Sequence, residues 1–159
     1  MNGLLQKTQP VTKKQIMPAI TTETKQLKNL LEGVDCRITG DIEKTEITGL
    51  SSDSRKVEPG NLFAAIQGLS VNGHNYLNQA VAAGCSALLV NHGWQSLAAE
   101  TENVGQIPLV EVNDTKIALG DIAAAFYDHP DRQLTLIGIT GTNGKTTTSF
   151  LVEAFLKAC

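Results

Sequence analysis

Aromatic side chains are scarce: four Phe, two Tyr and one Trp among 159 residues. Any core must therefore be mostly aliphatic, assembled from Leu, Ile, Val and Ala. Cysteine is sparse too. Cys36, Cys85 and Cys159 are odd in number and form no CxxC pair, which argues against a disulfide framework or a zinc site and for a reducing cytoplasm. No run of about 18 uninterrupted apolar residues exists, so no membrane-spanning helix is expected. The first 22 residues lack the compact apolar stretch of a secretory signal and contain no Arg, leaving only a faint likeness to a transit peptide. Thirteen Lys+Arg stand against sixteen Asp+Glu, a formal net charge of −3. That balance provides no basic stripe for general nucleic-acid binding. Fourteen Gly and five Pro stay below low-complexity levels. The length suits one full domain, or one small domain plus part of another.

Pro10 and Pro18 interrupt residues 1–22, which read as a disordered leader. From Thr22 the pattern TETKQLKNLLEG predicts a short amphipathic helix, with Gly33 as its stop. CRITG, TEITGL and NLFAAIQG are strand-like pieces separated by turn residues, including Pro59-Gly60 and Asn72-Gly73. YLNQAVAAG reads as a helix, CSALLVN and IPLVEVND as strands, and TKIALGDIAAAFYDHP as a helix capped by Asp114 and ended before Pro130. This alternation predicts a small α/β domain over 23–130. A second unit opens at 131–159: LTLIGIT as a strand, GTNGKT as a turn, and TTSFLVEAFLKAC as a helix with Phe150, Leu151, Ala154 and Phe155 on one face.

The segment from Gly141 to Thr147, GTNGKTT, carries the strongest chemical signal. A triphosphate needs many donors in a small radius without bulky side chains. Gly141 and Gly144 permit close backbone approach and positive φ. Main-chain N–H groups from Gly141, Thr142, Asn143 and Gly144 onward can then form an anion nest at a helix N-terminus. Lys145 adds an ammonium for the β- and γ-phosphates and supports phosphoryl transfer; Thr146 offers a hydroxyl to Mg²⁺. The general G-x-x-x-x-G-K-[ST] pattern is not met, because Ile139 occupies its first position. The plain alternative is a Gly-rich turn with no ligand, but a lysine in the first turn of a helix is unfavourable without an anion to meet.

TGTNGKTTT is similar to the ATP loop of the Mur ligases, the amide-forming enzymes of peptidoglycan synthesis. Upstream, Ser52-Asp53-Ser54-Arg55, then Pro59-Gly60-Asn61-Leu62-Phe63-Ala64-Ala65, Gly68 and Asn72-Gly73-His74 resemble the N-terminal domain shared by the MurE and MurF types, with the loop closer to MurE. The resemblance covers about residues 45–159. It implies an N-terminal UDP-sugar domain over 23–130 and the truncated start of a central ATPase domain over 131–159. It implies ATP and Mg²⁺ as cofactors. It implies a UDP-N-acetylmuramoyl-peptide and an amino acid as partners, joined through an acyl phosphate by a cytoplasmic, monomeric enzyme of cell-wall biogenesis, with links to cell shape and division. Carried over by position, Ser52 and Ser54 fall where the family contacts the uridine nucleotide. Leu69, Ser70 and Val71 fall on a second substrate loop, and Gly141 to Thr147 on the ATP loop.

Hydroxyls, backbone N–H groups and an arginine suit an anionic UDP-sugar, and Arg55 is a plausible helper. The bland reading of SSDSR is a solvated turn in which Asp53 serves local N–H groups. His74 reads as a turn residue, Trp94 as packing on the sheet and Cys85 as a buried small hydrophobe. The family's metal-binding acids, modified lysine and amino-acid site have no counterpart before Cys159, so the chain is expected to be an inactive fragment. A MurF-type ligase, a non-catalytic UDP-sugar-binding module and a folate polyglutamyl-ligase relative are the alternatives.

Overall fold

The computed structural model describes residues 24–96, 104–135 and 137–158. The expected leader, 1–22, lies outside these residues. Five strands form the main sheet: β2 (Cys36–Thr39), β4 (Gly49–Ser51), β5 (Asn61–Ala64), β6 (Ala87–Asn91) and β7 (Leu109–Val112), in spatial order β2-β7-β6-β5-β4. The strands from β4 to β7 run parallel, and β2 joins β7 antiparallel as an edge. A separate two-stranded ribbon pairs β1 (Lys25–Gln26) with β3 (Glu46–Ile47).

The alternation of side chains along the strands divides the core into two layers. Leu62, Ala64, Ala87, Leu89, Val110 and Val112 face one side, where α1 (Leu27–Leu30) and α3 (Thr115–Phe126) supply Leu27, Leu30, Ile122 and Phe126. Phe63, Ala65, Leu88 and Val90 face the other, covered by Leu77 and Ala80 of α2 (Leu77–Ala82) and by Trp94 and Val104. Burial on both faces explains why NLFAA and ALLV are continuous apolar runs rather than alternating ones. Trp94 and Cys85 are both buried in this second layer, as the sequence suggests.

Two expectations are corrected. The helix predicted from Thr22 to Gly33 shrinks to Leu27–Leu30, because Lys25 and Gln26 are taken by the ribbon with Glu46 and Ile47. The Leu27 N–H donates to the Thr45 carbonyl at 2.8 Å, which anchors that switch. Gly33 does end the turn, with φ +79°. The strand expected in LTLIGIT is absent from its described residues: Thr135 and 137–140 have no ladder partner. An extended segment becomes a strand only when a neighbour accepts its hydrogen bonds. The helix after it, α4, runs over Lys145–Ala158 and starts two residues earlier than TTSFLVEAFLKAC suggests. None of its residues is buried; Phe150, Leu151, Phe155 and Leu156 are all exposed.

Candidate functional site

The phosphate-type loop is a bend over residues 141–143, leading into α4 at Lys145. Gly141 and Gly144 both take positive φ, +143° and +77°. An added Cβ at Gly144 would meet nothing within 4 Å, so glycine is required there by backbone conformation rather than by space. The first hydrogen bond of α4 runs from the Thr148 N–H to the Gly144 carbonyl, 2.9 Å. The amides of Lys145, Thr146 and Thr147 occupy the first turn, where helix geometry provides no intrahelical acceptor. Lys145 curls back over the loop: its Nζ donates to the Gly141 carbonyl at 2.6 Å and to the Thr142 carbonyl at 3.4 Å. The ammonium thus sits over the bend, beside the donors at the helix start. Positive charge, orphan amides and the helix dipole converge there, a donor set that fits a polyphosphate. Thr146 lies exposed in the same turn, where its hydroxyl could reach a phosphate-bound cation.

A cleft of about 620 Å³ lies on the sheet domain, between the segments that follow β4 and β5. These segments leave the carboxyl ends of neighbouring parallel strands, the usual location for ligand crevices in open α/β sheets. Ser52, Ser54 and Val71 line it, so three of the expected substrate residues come together. Leu69 and Ser70 do not line it. They form the tip of a short turn closed by the Gly68 N–H to the Val71 carbonyl at 2.8 Å and the Gln67–Asn72 bridge. Leu69 is fully exposed at that tip.

The SSDSR segment folds tightly. The Asp53 carboxylate accepts from the Arg55 backbone N–H at 3.1 Å and caps a single 3-10 turn, Ser54–Lys56. It also holds the Arg55 guanidinium bidentately, through Nε and Nη2, at 2.8 Å each. Arg55 lowers the carboxyl pKa to about 2, chiefly by that side-chain hydrogen bond. The bland reading of SSDSR holds, since Asp53 serves local N–H groups; the same segment also places Ser52, Ser54 and Arg55 on the cleft lining.

Sequence reasoning did not assign Phe63, Ile66, Tyr76 or Gln79 to a site, yet all four line the cleft. Gln79 accepts from Ser54 Oγ at 2.9 Å. Nothing in the local pattern around YLNQA marks that long-range contact; only the topology brings α2 to the segment after β4. His74 was read as a turn residue. It is fully buried, and its ring bridges Asn72 and the end of β6.

The described residues thus form a mixed α/β protein with a ligand-sized cleft at the carboxyl ends of its parallel strands and a glycine bend that leads into α4. The sequence model described as "Mur ligase family, catalytic domain" matches residues 46–127, about half of the chain. The chain belongs to the Mur ligase family. A UDP-N-acetylmuramoyl-L-alanyl-D-glutamate–2,6-diaminopimelate ligase of Oceanobacillus iheyensis is 41% identical over 129 residues, 80% of this chain and 25% of that protein. The enzyme of the same name from Streptomyces coelicolor is 43% identical over 112 residues, covering 70% and 21%. Among solved structures, MurF from Acinetobacter baumannii superposes with a TM-score of 0.61 at 30% identity, covering 86% of this chain and 28% of that one. The chain thus spans about a quarter of the length of these relatives. Among the described residues, no helix is long and apolar enough to cross a membrane.

Proposed function

We propose that the chain carries the substrate-nucleotide domain and the ATP loop of a MurE-type ligase. That enzyme would add the third amino acid to UDP-N-acetylmuramoyl-L-alanyl-D-glutamate in the cytoplasm. The observation that carries the reading is the bend from Gly141 to Gly144, with two left-handed glycines and the Lys145 ammonium folded over it. The names of the 41–43% identical relatives support the choice of substrate. In this reading residues 23–130 form the UDP-sugar domain and 131–159 begin the ATPase domain.

Bound ATP would supply the phosphoryl group that activates the substrate carboxylate as an acyl phosphate, ready for attack by an amine. The chain's own residues position and neutralise charge. Backbone amides at the start of α4 would bind phosphate oxygens, Lys145 would balance charge on the migrating phosphoryl group, and Thr146 would hold Mg²⁺. Ser52, Ser54 and Val71 would contact the uridine nucleotide within the cleft, with Leu69 and Ser70 reaching it from the adjoining tip.

Likeness to MurF structures keeps the dipeptide-adding type as the second reading. Calorimetric titration with UDP-N-acetylmuramoyl-L-alanyl-D-glutamate and with its tripeptide counterpart separates them. Tighter binding of the dipeptide form supports the MurE-type reading. Tighter binding of the tripeptide form overturns it, and binding of neither overturns both.

A further inference from the structure

His74 has no exposed surface, yet it lies one residue beyond the turn Asn72-Gly73 that ends the substrate loop. Its ring is held at both nitrogens. Nε2 accepts the Asn91 backbone N–H at 3.2 Å, and Nδ1 lies 2.8 Å from Asn72 Oδ1. An amide oxygen can only accept, so Nδ1 carries the proton and the ring is neutral. Asn91 is itself fixed: its Oδ1 accepts from Thr115 Oγ1 at 3.1 Å, and its Nδ2 donates to the Asn113 carbonyl at 3.0 Å. Thr115 Oγ1 also lies 3.2 Å from the Ala65 carbonyl, where the chain leaves β5. The segments after β5, β6 and β7 are thereby tied through one polar chain that starts at the buried His74 ring.

From this we infer that His74 is a positioning residue: its neutral, doubly bonded ring clamps the 66–73 loop to the end of β6 and so sets where Val71 meets the cleft. Two observations besides the bonds carry it. Gln67 to Val71 are all exposed, so side-chain packing gives the loop's tip little support beyond its own backbone bonds. The Gly73 N–H donates to the Ile66 carbonyl at 2.9 Å, so the loop closes directly on the clamped turn. Burial also lowers the His74 pKa, which keeps the Nε2 lone pair available at neutral pH. The part of the inference that concerns ligand rests on the proposed function; the part that concerns the loop does not.

The test uses the 159-residue chain with His74→Phe, which keeps the ring volume, with Asn72→Ala, and with both. Amide hydrogen exchange at Gly68 and Gly73 is expected to accelerate about tenfold in each single variant, equivalent to about 1.4 kcal/mol, while β5 and β6 amides keep their protection. The double variant is expected to add little, because the two residues act in series. Uniform acceleration across the sheet, or none at the loop, overturns the inference. In parallel, UDP-N-acetylmuramoyl-L-alanyl-D-glutamate is expected to bind Asn72→Ala about tenfold more weakly than the unaltered chain. Unchanged affinity in the presence of a loosened loop overturns the link to the cleft. If the unaltered chain binds no such nucleotide, the proposed function fails, and the exchange experiment still decides the role of His74.

Discussion

The Ser54 hydroxyl donates to Gln79 Oε1 across 2.9 Å, joining the turn after β4 to helix α2, residues 25 apart in sequence. Both line the same cleft. An exposed hydrogen bond of this kind contributes about 0.5–1.5 kcal/mol to stability. Gln79→Ala is therefore expected to shift the unfolding free energy by about 1 kcal/mol or less while weakening binding of a UDP-linked sugar several-fold. Denaturant titration and calorimetry on the same variant separate the two effects.

Gly73 and Gly144 are both demanded by the fold, for different reasons. A Cβ at Gly73 would lie 2.6 Å from the Ile66 nitrogen and 2.8 Å from its oxygen, so the loop must shift. Gly73→Ala is expected to cost about 1–3 kcal/mol, as overpacking does. Gly144→Ala meets no neighbour but must hold φ +77°, at a cost of about 1–2 kcal/mol confined to the start of α4. Circular dichroism with local hydrogen exchange should show global destabilisation in the first variant and fraying of α4 in the second.

The two-layer core and the bare face of α4 predict opposite outcomes for the same substitution. Phe126 is 5% exposed against the sheet, whereas Phe155 is 68% exposed. Phe126→Ala is expected to lose about 3–5 kcal/mol, and Phe155→Ala to change stability by no more than about 0.5 kcal/mol. The same bare face, with Thr135 and 137–140 unpaired, predicts no amide formation by the isolated 159-residue polypeptide given ATP, UDP-N-acetylmuramoyl-L-alanyl-D-glutamate and an amino acid. Turnover would contradict this.

Much of the fold was legible because its signals are local. NLFAA and ALLV declare strands buried on both sides, and Asp114 declares a helix start; its carboxylate does accept from the Lys116 and Ile117 amides, at 2.7 and 3.3 Å. GTNGKT declares a bend before a helix. The failures are non-local. Lys25 and Gln26 have helical context but are claimed by Glu46 and Ile47, about twenty residues away. LTLIGIT has strand composition, but among its described residues none has a ladder partner. His74 reads as a turn residue and does sit in the 3-10 turn Gly73–Tyr76; its burial was not legible, because the Asn91 N–H that its ring accepts lies 17 positions on.

Acid and base should destabilise the sheet domain through different groups. The folded His74 has a depressed pKa because burial opposes charging. Below about pH 6.5 the unfolded chain takes up a proton that the folded chain refuses. Stability should therefore fall as pH drops from about 6.5 toward the folded value, and His74→Phe should flatten that slope. Cys85 behaves inversely: burial pushes its thiol up to about 11. Its contribution is complete below about pH 8.5 and is lost as pH rises toward 11. Chemical denaturation at a series of pH values checks both, and an aromatic disulfide reagent at pH 8 should label Cys85 only on unfolding.

Equilibrium binding of Mg·ATP to the chain, with and without Lys145→Ala, tests the central claim most directly. Lys145 is exposed and its ammonium touches only loop carbonyls, so its removal should leave thermal unfolding unchanged. The account predicts saturable binding by the unaltered chain and a loss of about tenfold or more in the variant, as befits a charge-assisted phosphate contact. Equal affinity in the two proteins, or no binding by either, would contradict it.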